Sequence, residues 1–347
     1  MADLVDGHVH INAAALERGG PKAAMTGTSV SRMKKNERSA SRRYRLFGLS
    51  VESDVALPEL REDSAAAGRA DVVIRQQALP EPREALVPIG DFVELAPTEF
   101  RLQVPDVGSF LVRGGSEIFV DPLPGAEAAD LRAYLLGSVF GGLVHQAGLL
   151  PLHASAVARG GQAAAFLGPS GAGKSTTAHR LSGRGYDLLS DDVCVVHQGD
   201  DGDPLVWPGI RQFKLWDSSL AAAGESKAGL EPVLMREDKF LRPAERLAED
   251  RPHRLELIYV LSRGREAGEN RIDELKGLDA INALVSNTYR GLALRGMGRS
   301  SWHLQRCAEL ARRCRIFSFA MDWGFERADD AYSAIETHML AQFARGT

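Results

Sequence analysis

Short apolar runs separated by Gly, Pro and Asp fill residues 43–122: Tyr44–Val51, Asp71–Arg75, Phe92–Leu95, Phe100–Val104, Ser109–Val112 and Glu117–Val120. The breaks fall at Leu57-Pro58, Leu79-Pro80, Pro97, Pro105-Asp106 and Gly114-Gly115. Alternating or β-branched runs of this length between turn residues predict a small, mostly antiparallel β unit. The period then changes. Leu131, Leu135, Val139, Leu143 and Val144 recur at helical spacing through 127–147, and Gly148 follows as a stop. Beyond it, strand and helix patterns alternate, as in an α/β layer. Strands are predicted at Gln162–Leu167, Leu255–Leu261 and Arg315–Ala320, and helices at Lys174–Ser182, Asp279–Leu284, Ser301–Arg313 and Asp329–Gln342. Residues 1–42 carry Ala, Gly, Ser, Arg and Lys without a sustained apolar period, which predicts a disordered or extended tail. The expected organisation is therefore a tail over 1–42, a small β-rich domain over 43–125 and an α/β domain over 126–347.

Composition narrows the class without redirecting it. The 347 residues are 44% hydrophobic and 25% charged, with a net charge of −4, as in a globular protein. That field does not favour nucleic acid or an anionic membrane. The one basic cluster, Arg32 to Arg45, reads as a solvated face, and the lone His8 and His10 carry no metal signature. Three cysteines, Cys194, Cys307 and Cys314, are an odd number with neither disulfide nor zinc spacing. Cys307 and Cys314, seven apart, read as core residues on one face. There is no apolar segment suited to a secretory signal or a membrane span, so a cytoplasmic location is expected.

Candidate chemistry concentrates in the middle of the chain. Gly168-Pro169-Ser170-Gly171-Ala172-Gly173-Lys174-Ser175 fills the pattern G-x-x-x-x-G-K-[ST], between a predicted strand and a predicted helix. Glycines there let backbone N–H groups turn towards phosphate oxygens, and a helix N-terminus adds its dipole. Lys174 is placed to reach the β and γ phosphates, Ser175 to ligate Mg²⁺, and Thr176 to continue the cradle. ATP and Mg²⁺ are the expected ligands. Asp191 and Asp192 follow, flanked by apolar residues that place them at the end of a buried strand. Two adjacent carboxylates repel unless a cation sits between them. One acid is suited to holding metal and the other to accepting a proton from an attacking hydroxyl. His153 lies just upstream of the strand feeding the glycine loop. Arg211, Lys214 and Lys239 are candidates for neutralising phosphoryl or carboxylate charge, and Trp216 reads as core.

Three runs carry a family resemblance: His153-Ala-Ser-Ala-Val, Phe166-Leu-Gly-Pro-Ser-Gly-Ala-Gly-Lys-Ser, and Arg184-Gly-Tyr-Asp-Leu-Leu-Ser-Asp-Asp. With their separations, they resemble the kinase core of HPr kinase/phosphorylase, and more distantly phosphoenolpyruvate carboxykinase. The resemblance implies that His153 orients the catalytic acid, that Asp191 takes the proton from a substrate serine, and that Asp192 helps Ser175 hold the metal. Further runs resemble HPr-kinase-like proteins of peptide-modification clusters, notably lasso-peptide precursor kinases. They are Ser53-Asp-Val-Ala-Leu-Pro-Glu-Leu, Ile210-Arg-Gln-Phe-Lys-Leu-Trp, Lys239-Phe240, Leu257-Ile-Tyr-Val-Leu and Leu284-Val-Ser-Asn-Thr-Tyr-Arg. No counterpart of the HPr kinase loop that supports phosphorolysis is seen, so the reverse reaction is not expected.

The resemblance thus implies an α/β P-loop kinase core of the HPr kinase C-terminal domain type, with a small N-terminal β-rich domain. The implied activity is ATP- and Mg²⁺-dependent phosphorylation of a serine on a peptide or protein partner, such as a lasso-peptide precursor. An HPr-type protein kinase, a small-molecule kinase and an ATP-binding regulatory module are the alternatives. HPr kinase is known as a hexamer, so the resemblance also admits a homo-oligomer.

Overall fold

A computed structural model describes residues 41–63, 68–233, 236–264, 270–322 and 328–345, with backbone alone at 236 and 237. His8, His10 and nearly all of the tail expected over 1–42 lie outside the described residues. Among the described residues, no helix is long and apolar enough to cross a membrane.

The first half of the chain forms a nine-stranded sheet. From edge to edge its strands are Arg61–Glu62, Arg42–Leu46, Leu49–Ser53, Val72–Gln76, Glu117–Pro122, Gly108–Arg113, Glu99–Val104, Val93–Leu95 and Val87–Pro88. The run expected as one strand, Tyr44–Val51, is instead a hairpin. Phe47 and Gly48 turn it with φ of 53° and 78°, the left-handed pair whose twist matches the strands it joins. The sheet is not wholly antiparallel either. Val72–Gln76 runs parallel to both Leu49–Ser53 and Glu117–Pro122, because the chain leaves after Ser53 and returns in the same direction.

The helical segment runs from Ala128–Tyr134 through a π turn at Leu135–Val139 into Phe140–Gln146. Its Leu131, Leu135, Val139 and Leu143 share one apolar cluster with Phe100, Phe110, Val112 and Ile118 of the sheet. That cluster crosses the limit expected at 125/126, and it also takes in Val193, Val195 and Tyr289 from the second half of the chain.

The second half is α/β around a mixed sheet. Gln162–Leu167, His253–Arg263 and Arg315–Met321 are parallel neighbours. Ser155–Arg159 and Asp187–Ser190 extend the sheet antiparallel on one side. Along Gln162–Leu167, Ala164 and Phe166 join Ala178, Leu181, Ile335 and Met339 of the helices Lys174–Ser182 and Ala328–Phe343. Ala163, Ala165 and Leu167 join Ala280, Leu284, Cys307 and Leu310 of Gly277–Ser286 and Ser300–Arg313. A strand covered on both faces must be apolar at every position, which is why this one reads as an unbroken run. Cys307 and Cys314 are both buried in that second cluster. A separate three-stranded sheet, Gln212–Trp216, Arg236–Pro243 and Glu231–Val233, overhangs the end of the strand Asp187–Ser190.

The two sheets meet behind that strand. Phe47 N donates to Pro208 O at 3.0 Å, and Gly209 N donates to Leu189 O at 2.7 Å. Gly209 is needed here because a Cβ would run into the Ser190 side chain and the Phe47 ring. The hairpin tip therefore backs the strand that presents the two aspartates.

Candidate active site

The glycine-rich loop leaves the strand Gln162–Leu167 at its C-terminal end and enters the helix Lys174–Ser182. Gly168, Gly171 and Gly173 take φ of 136°, 84° and 87°, a region that side-chain-bearing residues avoid. At Gly168 a Cβ would meet Leu261 O at 2.7 Å, whereas Gly171 and Gly173 border open space. Lys174 is buried at the first turn of the helix. Its Nζ donates to Gly168 O at 2.7 Å and Pro169 O at 3.0 Å. Burial pushes its ammonium down to about 8, against the pull of Asp192 and Asp191.

A residue from far along the chain fixes this loop. Asn287 Oδ1 accepts from Gly168 N at 2.9 Å, while its Nδ2 donates to Ala283 O at 2.8 Å. The Asn287 carbonyl also accepts from His153 N at 2.7 Å. One asparagine thus ties the start of the glycine loop to the backbone of His153.

The aspartates diverge because the backbone turns left-handed between them, with Asp192 at φ 74°. Such a conformation in a non-glycine residue costs about 1 kcal/mol or more and persists only where its surroundings hold it. Asp191 points inward and is 3% exposed. Its Oδ1 accepts from Ser155 Oγ at 2.5 Å and its Oδ2 from Lys214 N at 2.7 Å. Asp192 points the other way, with Oδ2 2.7 Å from Lys214 Nζ. Burial alone would raise the Asp192 carboxyl, but the Lys214 ammonium overrides it and holds the acid far below the usual carboxylate range. Lys214 is raised in turn by Asp192, against the effect of burial. His153 Nδ1 donates to the Asp192 carbonyl at 3.0 Å and lies 3.5 Å from Asp192 Oδ1. Burial lowers the imidazole, so it is neutral at pH 7 and the carbonyl contact fixes its proton on Nδ1.

These groups share a cavity of about 370 Å³. Of the residues singled out from sequence, His153, Ser170, Gly171, Gly173, Lys174, Ser175, Thr176, Asp192, Lys214 and Lys239 line it. Gly168, Pro169 and Ala172 form the loop's base. Asp191 lies behind the cavity, and His153 is directed at Asp192 rather than Asp191. Arg211 is exposed and lines neither this cavity nor the neighbouring one. It falls on the opposite face of its strand segment from Lys214.

Trp216 corrects an expectation. It is not core: Phe213 and Leu215 are buried, while Lys214 and Trp216 alternate onto the cavity side. Lys239 Nζ stands 5.5 Å from the centre of the Trp216 ring, within range of a cation–π contact. Sequence reasoning also passed over Ser155, Asn287, Ser219 and Asp322. Ser219 Oγ is 3.0 Å from Thr176 Oγ1, and Asp322 lines the cavity just past the strand Arg315–Met321. Ser155, two residues after His153, and Asn287, within the run Leu284–Arg290, lay inside motifs already noticed.

The sequence matches no protein-family model and no curated protein. Among solved structures, the Hpr(Ser) kinase/phosphatase from Coxiella burnetii is similar at TM-score 0.31 and 11% identity, over 56% of this chain and 94% of that chain. At that distance the likeness says nothing about substrate or chemistry.

Proposed function

We propose that the chain is an ATP- and Mg²⁺-dependent kinase. It passes the γ-phosphoryl group to a serine hydroxyl of a peptide, with a precursor ending in serine, of the lasso-peptide type, as the acceptor class. The observation that carries this reading is the convergence on one cavity of a glycine loop, a buried lysine and a carboxylate held from two sides. Loop amides and the N-terminus of a nine-residue helix suit phosphate oxygens, and Lys174 adds a point charge. Among the described residues, no group of three or more His, Cys, Asp or Glu could hold a metal unaided. A Mg²⁺ shared with phosphates needs only one or two protein oxygens, and Ser175 with Asp192 or Asp322, all of which line the cavity, would hold it. Once bound, the ion would supply charge neutralisation for the phosphates.

In this reading the proton-accepting role first expected of Asp191 passes to Asp192. Both Asp191 oxygens are already engaged, so Asp191 braces the turn. Asp192 faces the cavity and accepts the serine proton as the new O–P bond forms and the bond to ADP breaks. Lys214 keeps Asp192 ionised, which makes it a weak base at rest. Phosphoryl transfer depends on positioning and charge neutralisation more than on base strength. Lys214 and Lys239 neutralise developing charge, and Arg211 has no part.

The test is transfer from γ-labelled ATP to peptides ending in serine, with two variants. Asp192→Asn should lower kcat by about 10²-fold or more. Asp191→Asn can still accept from Lys214 N through its carbonyl oxygen and should lose less than about tenfold. Equal losses would refute the passing of that role to Asp192. Label released only as free phosphate, with none in any peptide, would refute the kinase reading and favour an ATP-driven regulatory module.

A further inference from the structure

A second cavity, about 610 Å³, lies on the other side of the same acid. Asp192 and Lys214 line both cavities, so the two spaces meet at that ion pair. The three-stranded sheet supplies part of the second cavity's wall. Lys214 is paired with Leu241, and Leu241 with Glu231, so these three side chains form a row across the sheet. All three line the cavity. Two inter-strand steps of about 4.8 Å put Glu231 roughly 10 Å from Lys214.

The charges along this groove are uneven. At the Lys214 end, the ammonium is matched by Asp192 at 2.7 Å, and Asp191 also borders this groove with both oxygens held, by Ser155 Oγ and Lys214 N. Glu231 stands two strands away, and Glu59 and Asp130 also line the groove, against Arg132 as the one further cation of the lining. Arg132 is bound to Glu59 at 2.6 Å. Among the described residues no cation pairs with Asp130 or Glu231. Asp130 is raised above its ordinary value by burial and by Glu127, the condition of a carboxylate with a like charge nearby and no counter-ion. The rest of the lining is largely apolar and includes Leu136, Val193, Ile210 and Val233.

We propose that this groove holds the phosphoryl acceptor, and that the acceptor is an extended peptide whose terminal serine is preceded, about three residues earlier, by Lys or Arg. The proposal rests on the kinase reading above. With the hydroxyl at the Asp192–Lys214 pair, a cation roughly 10 Å away reaches Glu231, and at about 3.3 Å per extended residue that distance is three residues. The apolar lining takes the side chains between them. All three consecutive residues of Glu231–Val233 border the groove, and that strand is the edge of its sheet. An edge beside the groove suits an extended chain better than a compact metabolite.

The experiment uses the full chain and two synthetic nonapeptides, each ending in its single serine and carrying either Lys or Glu three residues before it. Ethanolamine serves as a small amino-alcohol probe. The Lys peptide should exceed its Glu partner by about tenfold in kcat/KM, as expected when several modest charge contacts add. Glu231→Lys, at an exposed position, should invert that preference, and Asp130→Lys should do so independently. Melting temperature and ATP binding report whether each variant is folded. The proposal is overturned if the wild-type protein labels peptides without charge preference, if the preference survives both reversals, or if ethanolamine is phosphorylated in place of peptide. In the first two cases the kinase reading stands, and in the third its phosphoryl transfer stands while its peptide acceptor falls. If ATP binds and no hydroxyl of any probe is labelled, the kinase reading falls and takes this proposal with it.

Discussion

Lys174 offers the sharpest quantitative test, because its proton is poised inside the working range. Burial sets the ammonium at about 8 in place of its ordinary 10.5. A phosphate chain at the loop would raise it again, so nucleotide should bind the protonated form. The protonated fraction of free protein falls from about 0.9 at pH 7 to about 0.1 at pH 9 for a group of pKa 8. The Kd for Mg·ATP should therefore rise about tenfold over that interval, roughly 1.4 kcal/mol. The terminal phosphate, with a second pKa near 6, is ionised throughout and does not confuse the slope. Titration calorimetry in two buffers of different ionisation enthalpy should register uptake of about half a proton at pH 8 and nearly a whole one at pH 9. Lys174→Arg, always charged, should flatten both measurements. Stability gives a check without nucleotide. Between pH 8 and 10.5 the unfolded chain holds this proton and the folded chain does not, so stability contributed here rises with pH. Below pH 8 the buried ammonium costs the folded state up to about 3 kcal/mol. Lys174→Met should then be more stable than wild type at pH 7, offset by the lost bonds to Gly168 O and Pro169 O, and the advantage should vanish by pH 10. A flat Kd with no proton uptake would refute the reasoning.

Three further outcomes follow from the same geometry. Asn287→Ala should leave Gly168 N without its acceptor and raise the KM for ATP by roughly tenfold, measured by initial rates, with a smaller change in kcat. Lys214→Met should cost about 1–3 kcal/mol at pH 7, because it leaves a mostly buried carboxylate unpaired. Asp192 is depressed by Lys214, so the stability from this pair is present above the ordinary carboxylate value near 4 and is lost as pH falls through the folded value; urea midpoints of variant and wild type should converge in acid. Gly48→Ala combines a left-handed backbone with a Cβ 2.6 Å from the Trp207 ring, and should lower stability by about 2 kcal/mol or more in a thermal melt.

How much of this was legible in the sequence depends on the range of the forces involved. The glycine loop was legible because its backbone demands glycine locally, and because Gln162–Leu167 and Lys174–Ser182 carry their own periods. The β unit was legible as a set of runs, but the turn inside Tyr44–Val51 was missed. Tyr44 and Leu46 alternate in one phase and Leu49 and Val51 in the other, and that phase slip was the signal. Trp216 was misplaced for a similar reason: strict alternation along Gln212–Trp216 puts it beside Lys214, not with Phe213 and Leu215. The aspartates were legible as a pair, not as individuals. Which one faces the cavity is set by the left-handed turn at Asp192, and no side-chain pattern reports a backbone angle. Asn287 acts on Gly168 from 119 residues away, a contact that only the folded chain makes.

The shared core explains why the β unit belongs to the chemistry rather than beside it. Val193 and Val195, which follow the aspartates, are packed into the same cluster as Phe110 and Ile118 of the first sheet. Phe47 backs Gly209, and Gly209 is hydrogen-bonded to the strand that carries Asp191. Glu59, with Asp130 and Arg132 of the first helix, lines the second groove and not the first cavity, so the β half and its helix supply acidic groups that join Glu231 there. A lone glycine loop with its lysine could bind a triphosphate without any of this. Selecting an acceptor requires a second surface held rigidly opposite the first. The Arg132–Glu59 pair, joining helix to sheet across 73 residues of sequence, is where that rigidity is most exposed to perturbation. Arg132→Ala should weaken acceptor recognition, seen as a raised peptide KM, while leaving the Kd for ATP within about twofold, because the pair lines only the second groove. A matching loss of ATP affinity would mean that the two cavities are coupled through the shared core rather than joined only at the Asp192–Lys214 pair.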